Sequence, residues 1–282
     1  MSLKIILLAF PILGVVAAVL ILYGESRWKA RTRAMRSRLD AARLPIEPKV
    51  FDIRELANLP APVQRYFRAV LADGQPMVAA VSIEQTGKFN MRKAAARWMP
   101  FTSTQRIVNR RPGFDWDARI TVIPGIQIRV HDAYVAGEGL LRAALFGLIS
   151  MAHLRDRAEL ARGELMRFFA EAAWYPTALL PSQGIHWKSM DDRSAHATLK
   201  DGDLTITLLF RFSSDGLIDT VRAEARGRTP GVSMPWQCRL WNYAIRDGMR
   251  VPLEAEAAWM TPEGAKPYWR GLITKSSYEF AR

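Results

Sequence analysis

From Val81 onward the chain places apolar residues at every second position, and that alternation limits what it can fold into more than any other feature. Phe114, Trp116, Ala118, Ile120 and Val122 alternate with Asp115, Asp117, Arg119 and Thr121. Successive side chains of a strand point to opposite faces, so this is the pattern of a strand with one dry side. Pro124-Gly125 supplies a turn, and Ile126, Ile128 and Val130 begin a second alternating run; the pair reads as a hairpin. Asp201-Gly202 is a hairpin turn before Leu204, Ile206, Leu208, Phe210 and Phe212, which share one face. Ser213 to Gly216 turns the chain again. Asp247-Gly248 separates residues 236–246 from 249–259, and a last strand is expected from about Tyr268 to Phe280. Strands joined by reversing turns make an antiparallel sheet.

Helical spacing interrupts this pattern in two places. Val63, Tyr66, Phe67, Val70 and Leu71 predict an amphipathic helix over residues 60–73, with Gly74 where a terminating glycine belongs. Residues 140–174 read as a helical block: LLRAALFGLISM, apolar nearly all round and too short to span a bilayer, then the amphipathic RAELARGELMRFFAEAAW. The expected fold class is α+β: an N-terminal transmembrane helix, then a large curved antiparallel sheet, open-barrel-like, covered by helices.

Ile5 to Tyr23 is uncharged, IILLAFPILGVVAAVLILY. About 20 apolar residues at helical rise cross a bilayer core, so the run suffices to span. It exceeds the apolar stretch of a usual signal peptide, and no small-x-small cleavage site follows it. The expected division is 1–24 as anchor, 25–50 as a basic juxtamembrane helix and linker, and 51–282 as the α+β domain. Arg27, Lys29, Arg31, Arg33, Arg36 and Arg38 follow the run, against Lys4 before it. The excess of Lys and Arg predicts a single-pass protein of the inner (cell) membrane with its domain in the cytoplasm, the periplasm being the alternative. The same basic residues, 27–38, together with the span itself, are expected to contact membrane lipids.

The formal net charge is +13. Residues 24–49 hold eight basic and three acidic residues, so much of the charge belongs to the collar. The domain that remains is moderately basic without any nucleic-acid module, and no nucleic-acid partner is expected. One cysteine, Cys238, excludes an internal disulfide and a cysteine-rich zinc site.

The stretches LPAPVQRYF, EQTGKF, RWMPFTSTQ, GFDWDAR, GELMRFFAEAAWYPTALL and YWRG, within residues 59–271, resemble a bacterial family of often membrane-anchored proteins known only as a domain of unknown function. That resemblance implies a fold and a class but no activity. At fold level the strand pattern is also similar to periplasmic lipoprotein carriers, whose incomplete barrel holds acyl chains against a helical plug.

Candidate chemistry is sparse. Asp115 and Asp117 share a strand face, about 6.6 Å apart by strand rise. They can serve acid/base hydrolysis or hold a cation, or simply form a polar face with Arg119 as counter-ion. Glu164, Arg167 and Glu171 fall on one helical stripe, either a solvated ladder or a buried charged cluster facing the sheet. His131, His153, His186 and His196 lack metal-site spacing, and no nucleophile elbow or phosphate loop occurs. No metal and no cofactor is expected.

The leading reading is a membrane-tethered module for a lipid or other hydrophobic ligand, more a binder than an enzyme. Trp116, Phe210 and Trp236 would line its pocket, and Asp115, Trp116, Asp117, Arg119, Glu164, Arg167 and Glu171 are the candidate ligand-binding residues. The alternatives are a hydrolase using Asp115, Asp117 and Glu164, and a scaffold docking a protein partner through exposed strands or the apolar segment 140–151.

Overall fold

The structure is a computed structural model that describes residues 3–90, 97–155, 158–229 and 231–282, with side chains of the first helix from residue 12 onward. Three helices, α1 (Leu3–Ala41), α2 (Ala61–Val70) and α3 (Ala158–Ala170), accompany one large sheet. Its first six strands are β1 (Val78–Asn90), β2 (Trp98–Val108), β3 (Gly113–Ile123), β4 (Ile126–Val135), β5 (Glu138–Leu145) and β6 (Ile149–Arg155). After α3 come β7 (His186–Asp191), β8 (Ser194–Asp201), β9 (Leu204–Phe212), β10 (Ile218–Thr229), β11 (Val232–Arg246), β12 (Met249–Thr261) and β13 (Gly264–Phe280).

The thirteen strands are ordered 6-5-4-3-2-1-13-12-11-10-9-8-7, with every pair antiparallel. Two meanders, β1–β6 and β7–β13, are therefore sewn together by their outermost members in sequence, β1 and β13. The sheet does not close on itself, because β6 and β7 are its two edges.

It does curl. β4 and β8 stand nine positions apart, which in a flat sheet at about 4.8 Å per strand would separate them by roughly 43 Å. Yet Tyr134 on β4 donates a 2.7 Å hydrogen bond to Asp201 at the end of β8. Helix α3 likewise touches β3, β4 and β5 from one half and β9 and β10 from the other. The sheet wraps around α3, and the wrapped interior holds the main apolar core, including Phe67, Phe114, Leu165, Phe169, Trp174 and Phe210.

The alternation read at residues 114–122 places its side chains as expected: Phe114, Trp116, Ala118 and Ile120 are buried inside. Both hairpin glycines at 202 and 248 have positive φ, +57° and +83°, which is why two-residue turns fit there. The final strand starts at Gly264, a little before the expected start at Tyr268.

The helical block 140–174 needs correction. Residues 140–151 are not helix: Leu140–Leu145 belongs to β5 and Ile149–Met151 to β6, joined at Phe146-Gly147, both with positive φ. The β5 part of the run is apolar on both sides because a strand covered on both faces loses its alternation, whereas Ile149 and Met151 of β6 are exposed. Leu141 faces the interior, opposite Asp132, while Leu140 lies on the outer side beside α1. Only the second part is helical, as α3 and the 3-10 turn Glu171–Trp174. The proposed docking helix over residues 140–151 falls with this correction.

Helix α1 continues unbroken to Ala41, and its second half lies on the outer face of β2, β3 and β4. Trp28 and Leu39 are fully buried there. From Ile12 to Tyr23 every residue is exposed. Among the described residues no helix is long and apolar enough to cross a membrane; part of the run Ile5–Tyr23 lies outside the described side chains.

Candidate binding site

Strand alternation splits the seven candidate residues between two faces. Trp116, Glu164, Arg167 and Glu171 meet inside the curled sheet; Asp115, Asp117 and Arg119 lie on the outer face under or beside α1. The trio Asp115, Asp117 and Glu164 is therefore not one site.

On the outer face the polar residues of β3 and β4 form a dry interface with the helix. Trp28 Nε1 donates to Asp117 Oδ1 at 2.9 Å, and Thr32 Oγ1 donates to Asp117 Oδ2 at 2.8 Å. A carboxylate only accepts, so the Thr32 hydroxyl has spent its proton and accepts from His131 Nε2, also at 2.8 Å. That assigns the proton on His131 to Nε2, and the ring stacks on Trp28 at 4.4 Å. Burial works against the charge of Asp117, but His131, Trp28 and Thr32 outweigh it and hold the carboxyl below its usual range. Asp115, fully buried, is raised by burial despite His131 and the 3.0 Å bond from Arg36 Nε. Arg119 reaches Glu25 at 3.7 Å, alongside Arg129 and Lys29.

On the inner face α3 delivers its stripe into the sheet. Arg167 Nε donates to Glu171 Oε1 at 2.7 Å, Arg167 Nη1 donates to Asp132 on β4, and the guanidinium lies 4.8 Å over Phe114 and 4.9 Å over Trp116. Gln105 Nε2 donates to the other Glu171 oxygen at 2.6 Å. A second arginine, Arg226 on β10, is 3.6 Å from Glu164, stacks over Trp236 at 4.7 Å and donates to Tyr268 Oη at 3.3 Å. Burial, together with the charge of Asp132, raises Glu164 well above the usual carboxylate range; Arg226 and Arg167 offset this only in part. Arg167 is raised as well, which for an arginine favours the charge: burial penalises that charge, but Glu171, Asp132 and Glu164 outweigh it.

Asp132, Arg167, Glu171 and Arg226, but not Glu164, border a cavity of about 110 Å³ walled by Trp116, Trp174, Trp236, Trp269 and Tyr268. Small residues make room for the rings. Gly87 and Gly271 face each other across β1 and β13, and a Cβ on Gly271 would sit 2.4 Å from the Trp269 ring. Three buried N–H donors of cavity-lining residues have no acceptor: Trp174 Nε1, Trp269 Nε1 and Arg226 Nε. Phe210, expected in the wall, packs instead against Phe169 and Trp187. Among the described residues no group of three or more His, Cys, Asp or Glu is arranged to hold a metal ion.

Sequence reasoning missed Asp132 and Arg226. Asp132 falls on the inner face because it pairs with Trp116. Arg226 was unreadable for a local reason. The register between β10 and β11 shifts after Ala223, and this bulge turns Arg226 inward where strict alternation would place Ala225.

An open, curled antiparallel sheet around one helix, with a charged and aromatic interior, defines the class. The chain belongs to a family of unknown function, DUF6920, whose model matches residues 57–278. No curated protein matches it. Among solved structures it is similar to a LolA superfamily protein of Nitrosomonas europaea, at 10% identity, TM-score 0.32, covering 87% of this chain and 93% of that one. It is also similar to a porin-like protein of Bacteroides uniformis, at 8% identity, TM-score 0.25, covering 72% of this chain and 96% of that one.

Proposed function

We propose that this protein is a membrane-tethered binding module that takes the acceptor-bearing end of a hydrophobic ligand into the cavity beneath α3. One observation carries the reading: Trp174, Trp269 and Arg226, which line an aromatic-walled space, each hold a buried N–H donor with no acceptor among the described residues. A buried donor without an acceptor costs about 1–3 kcal/mol, so a carboxylate, carbonyl or phosphate oxygen placed there recovers that energy. Rings on the wall suit an apolar body next to that oxygen.

Volume limits the ligand. About 110 Å³ is well below the roughly 300–1,000 Å³ of pockets that enclose a whole drug-sized ligand. A whole two-chain lipid does not fit; its end does, with the remainder leaving past the half-buried Phe89 and Tyr268, whose rings are 5.9 Å apart. Larger cargo requires α3 to move off the sheet.

The tether rests on the uncharged run Ile5–Tyr23 and on the exposure of its residues from Ile12, an apolar surface that the domain does not cover. The basic residues after it favour a cytoplasmic domain, which a reporter fused after Arg282 and read for cytoplasmic or periplasmic activity tests directly.

Native mass spectrometry of gently extracted full-length protein tests the ligand. A bound small molecule with an apolar body and an oxygen acceptor is expected in the wild type and lost in Arg226→Met. A wild-type protein that is always empty sinks the proposal.

A further inference from the structure

A second cavity, of about 290 Å³, lies on the other face of the sheet, between α1 and strands β4–β6. Its two ends differ in charge. At one end Glu138 accepts from Arg38 at 3.1 Å and from Arg155 at 3.2 Å, so both arginines there have an acidic partner. At the other end stand Arg31 of α1 and Arg142 of β5, and among the described residues neither has an acidic partner. Arg142 Nε is buried and makes no hydrogen bond. Arg27, one turn earlier on α1, adds a third cation close enough to disfavour the charge on both neighbours; for Arg31, burial is the larger cause and Arg142 the next, and for Arg142, burial and then Arg27. Like charges collected beside a half-buried groove are unfavourable unless an anion joins them.

The position of this end is fixed by close packing. A Cβ on Gly24 would lie 2.5 Å from the Phe146 carbonyl oxygen and 2.6 Å from Leu148, so the β5–β6 turn abuts α1 one residue after Tyr23. Phe146 N donates to Gln127 O at 3.0 Å, which brings the β3–β4 turn alongside. Around this end Ile123, Ile149 and Met151 are exposed apolar residues. If the apolar run ends at Tyr23, Arg27 stands about 6 Å and Arg31 about 12 Å further along the helix axis at 1.5 Å per residue. The headgroup layer on each side of a bilayer is roughly 5–8 Å deep, within reach of arginine side chains.

We infer that Arg27, Arg31 and Arg142 form a phosphate site for the headgroup of an anionic lipid, seated by the apolar rim of Ile123, Ile149 and Met151. This rests on the tether reading but not on the interior cavity. The site holds the sheet against the bilayer at a fixed orientation, with the Arg31 and Arg142 guanidinium groups converging on one phosphate and Arg27 adding its charge beside them.

The test uses the full chain in mild nonionic detergent, titrated with phosphatidylglycerol, with phosphatidylcholine and with inorganic phosphate, read by lipid adducts in native mass spectrometry and by Tm. Wild type should retain phosphatidylglycerol in preference to phosphatidylcholine. The pair Arg31→Gln/Arg142→Gln should weaken that binding tenfold or more, while Arg33→Gln/Lys49→Gln, which removes equal charge outside the groove, should not. Equal binding by both pairs overturns the site. Stabilisation by inorganic phosphate matching that by the lipid overturns the lipid assignment. Alkaline extraction of membranes reports on the tether separately: release of the chain there sinks the anchor, whatever the titration gives.

Discussion

Glu164, buried, and Arg167, half-buried, sit one turn apart on α3, and their environments favour the neutral acid and the charged base. Glu164 is raised by burial and by Asp132. An unfolded glutamate titrates near about 4.3. Because the folded value is higher, the folded state holds the proton more tightly; the associated stability is full below about pH 4.3 and is lost as pH rises through the folded value. Glu164→Gln keeps the shape of the protonated acid. The wild type should therefore lose Tm as pH rises above about 4.3, and thermal melts of the detergent-solubilised variant should lack part of that decline. A decline of unchanged size would mean Glu164 is ionised throughout. Arg167 behaves differently, since Asp132 and Glu171 both depend on it. Arg167→Met should cost about 3–5 kcal/mol, because buried Glu171 and half-buried Asp132 lose their cation. Chemical denaturation should show a large shift in midpoint, and a loss below about 1 kcal/mol would mean that water reaches this cluster.

At the scale of elements, α1 is where the sequence was most and least legible. Its apolar run and basic collar are plain in the linear order of residues, as are the strands 114–122 and 204–212, whose alternation survives because one face is dry and the other mixed. What the sequence does not carry is that Trp28, Thr32, Arg36 and Leu39, spaced three or four apart, form a face that covers the sheet's other side. Those residues sit within a basic stretch, where charge masks the stripe. The same covering explains why residues 140–151 mimic a buried helix, and why Asp115 and Asp117 look like a solvated pair while standing under a helix. Local bulges hide more: Arg226 enters the interior through an irregularity that no periodicity records. The docking itself is testable. Trp28 is fully buried and joins Asp117 and His131. Trp28→Ala should cost about 3–5 kcal/mol. Hydrogen exchange should speed up along residues 28–39 while β8–β11 stay protected. Uniform loosening of the whole domain would instead place Trp28 in the main core.

The molecule as a whole depends on one seam. Each meander is built from neighbours in sequence, but β1 and β13 pair across nearly the whole domain: Gly87 opposite Gly271, Phe89 opposite Trp269. Closing so long a loop costs entropy that no hairpin repays, so this pairing should form late in folding. The seam is also where backbone and ring come closest. A Cβ on Gly87 would lie 2.0 Å from the Arg270 carbonyl oxygen and 2.7 Å from the Phe101 ring. Phe101 and Trp269 stack at 6.0 Å, their rings covering the glycines and restoring the packing that bare backbone lacks. Trp269 also walls the interior cavity, so the contact that joins the halves shapes the binding space. Gly271→Val drives a side chain into that ring. The expected result is loss of cooperative unfolding at any temperature where the wild type folds, with β2–β4 and β10–β12 losing exchange protection together. Should the two meanders lose protection at separate denaturant concentrations in the wild type, they are independent units. The cavity would then be an interface between two bodies, not the interior of one.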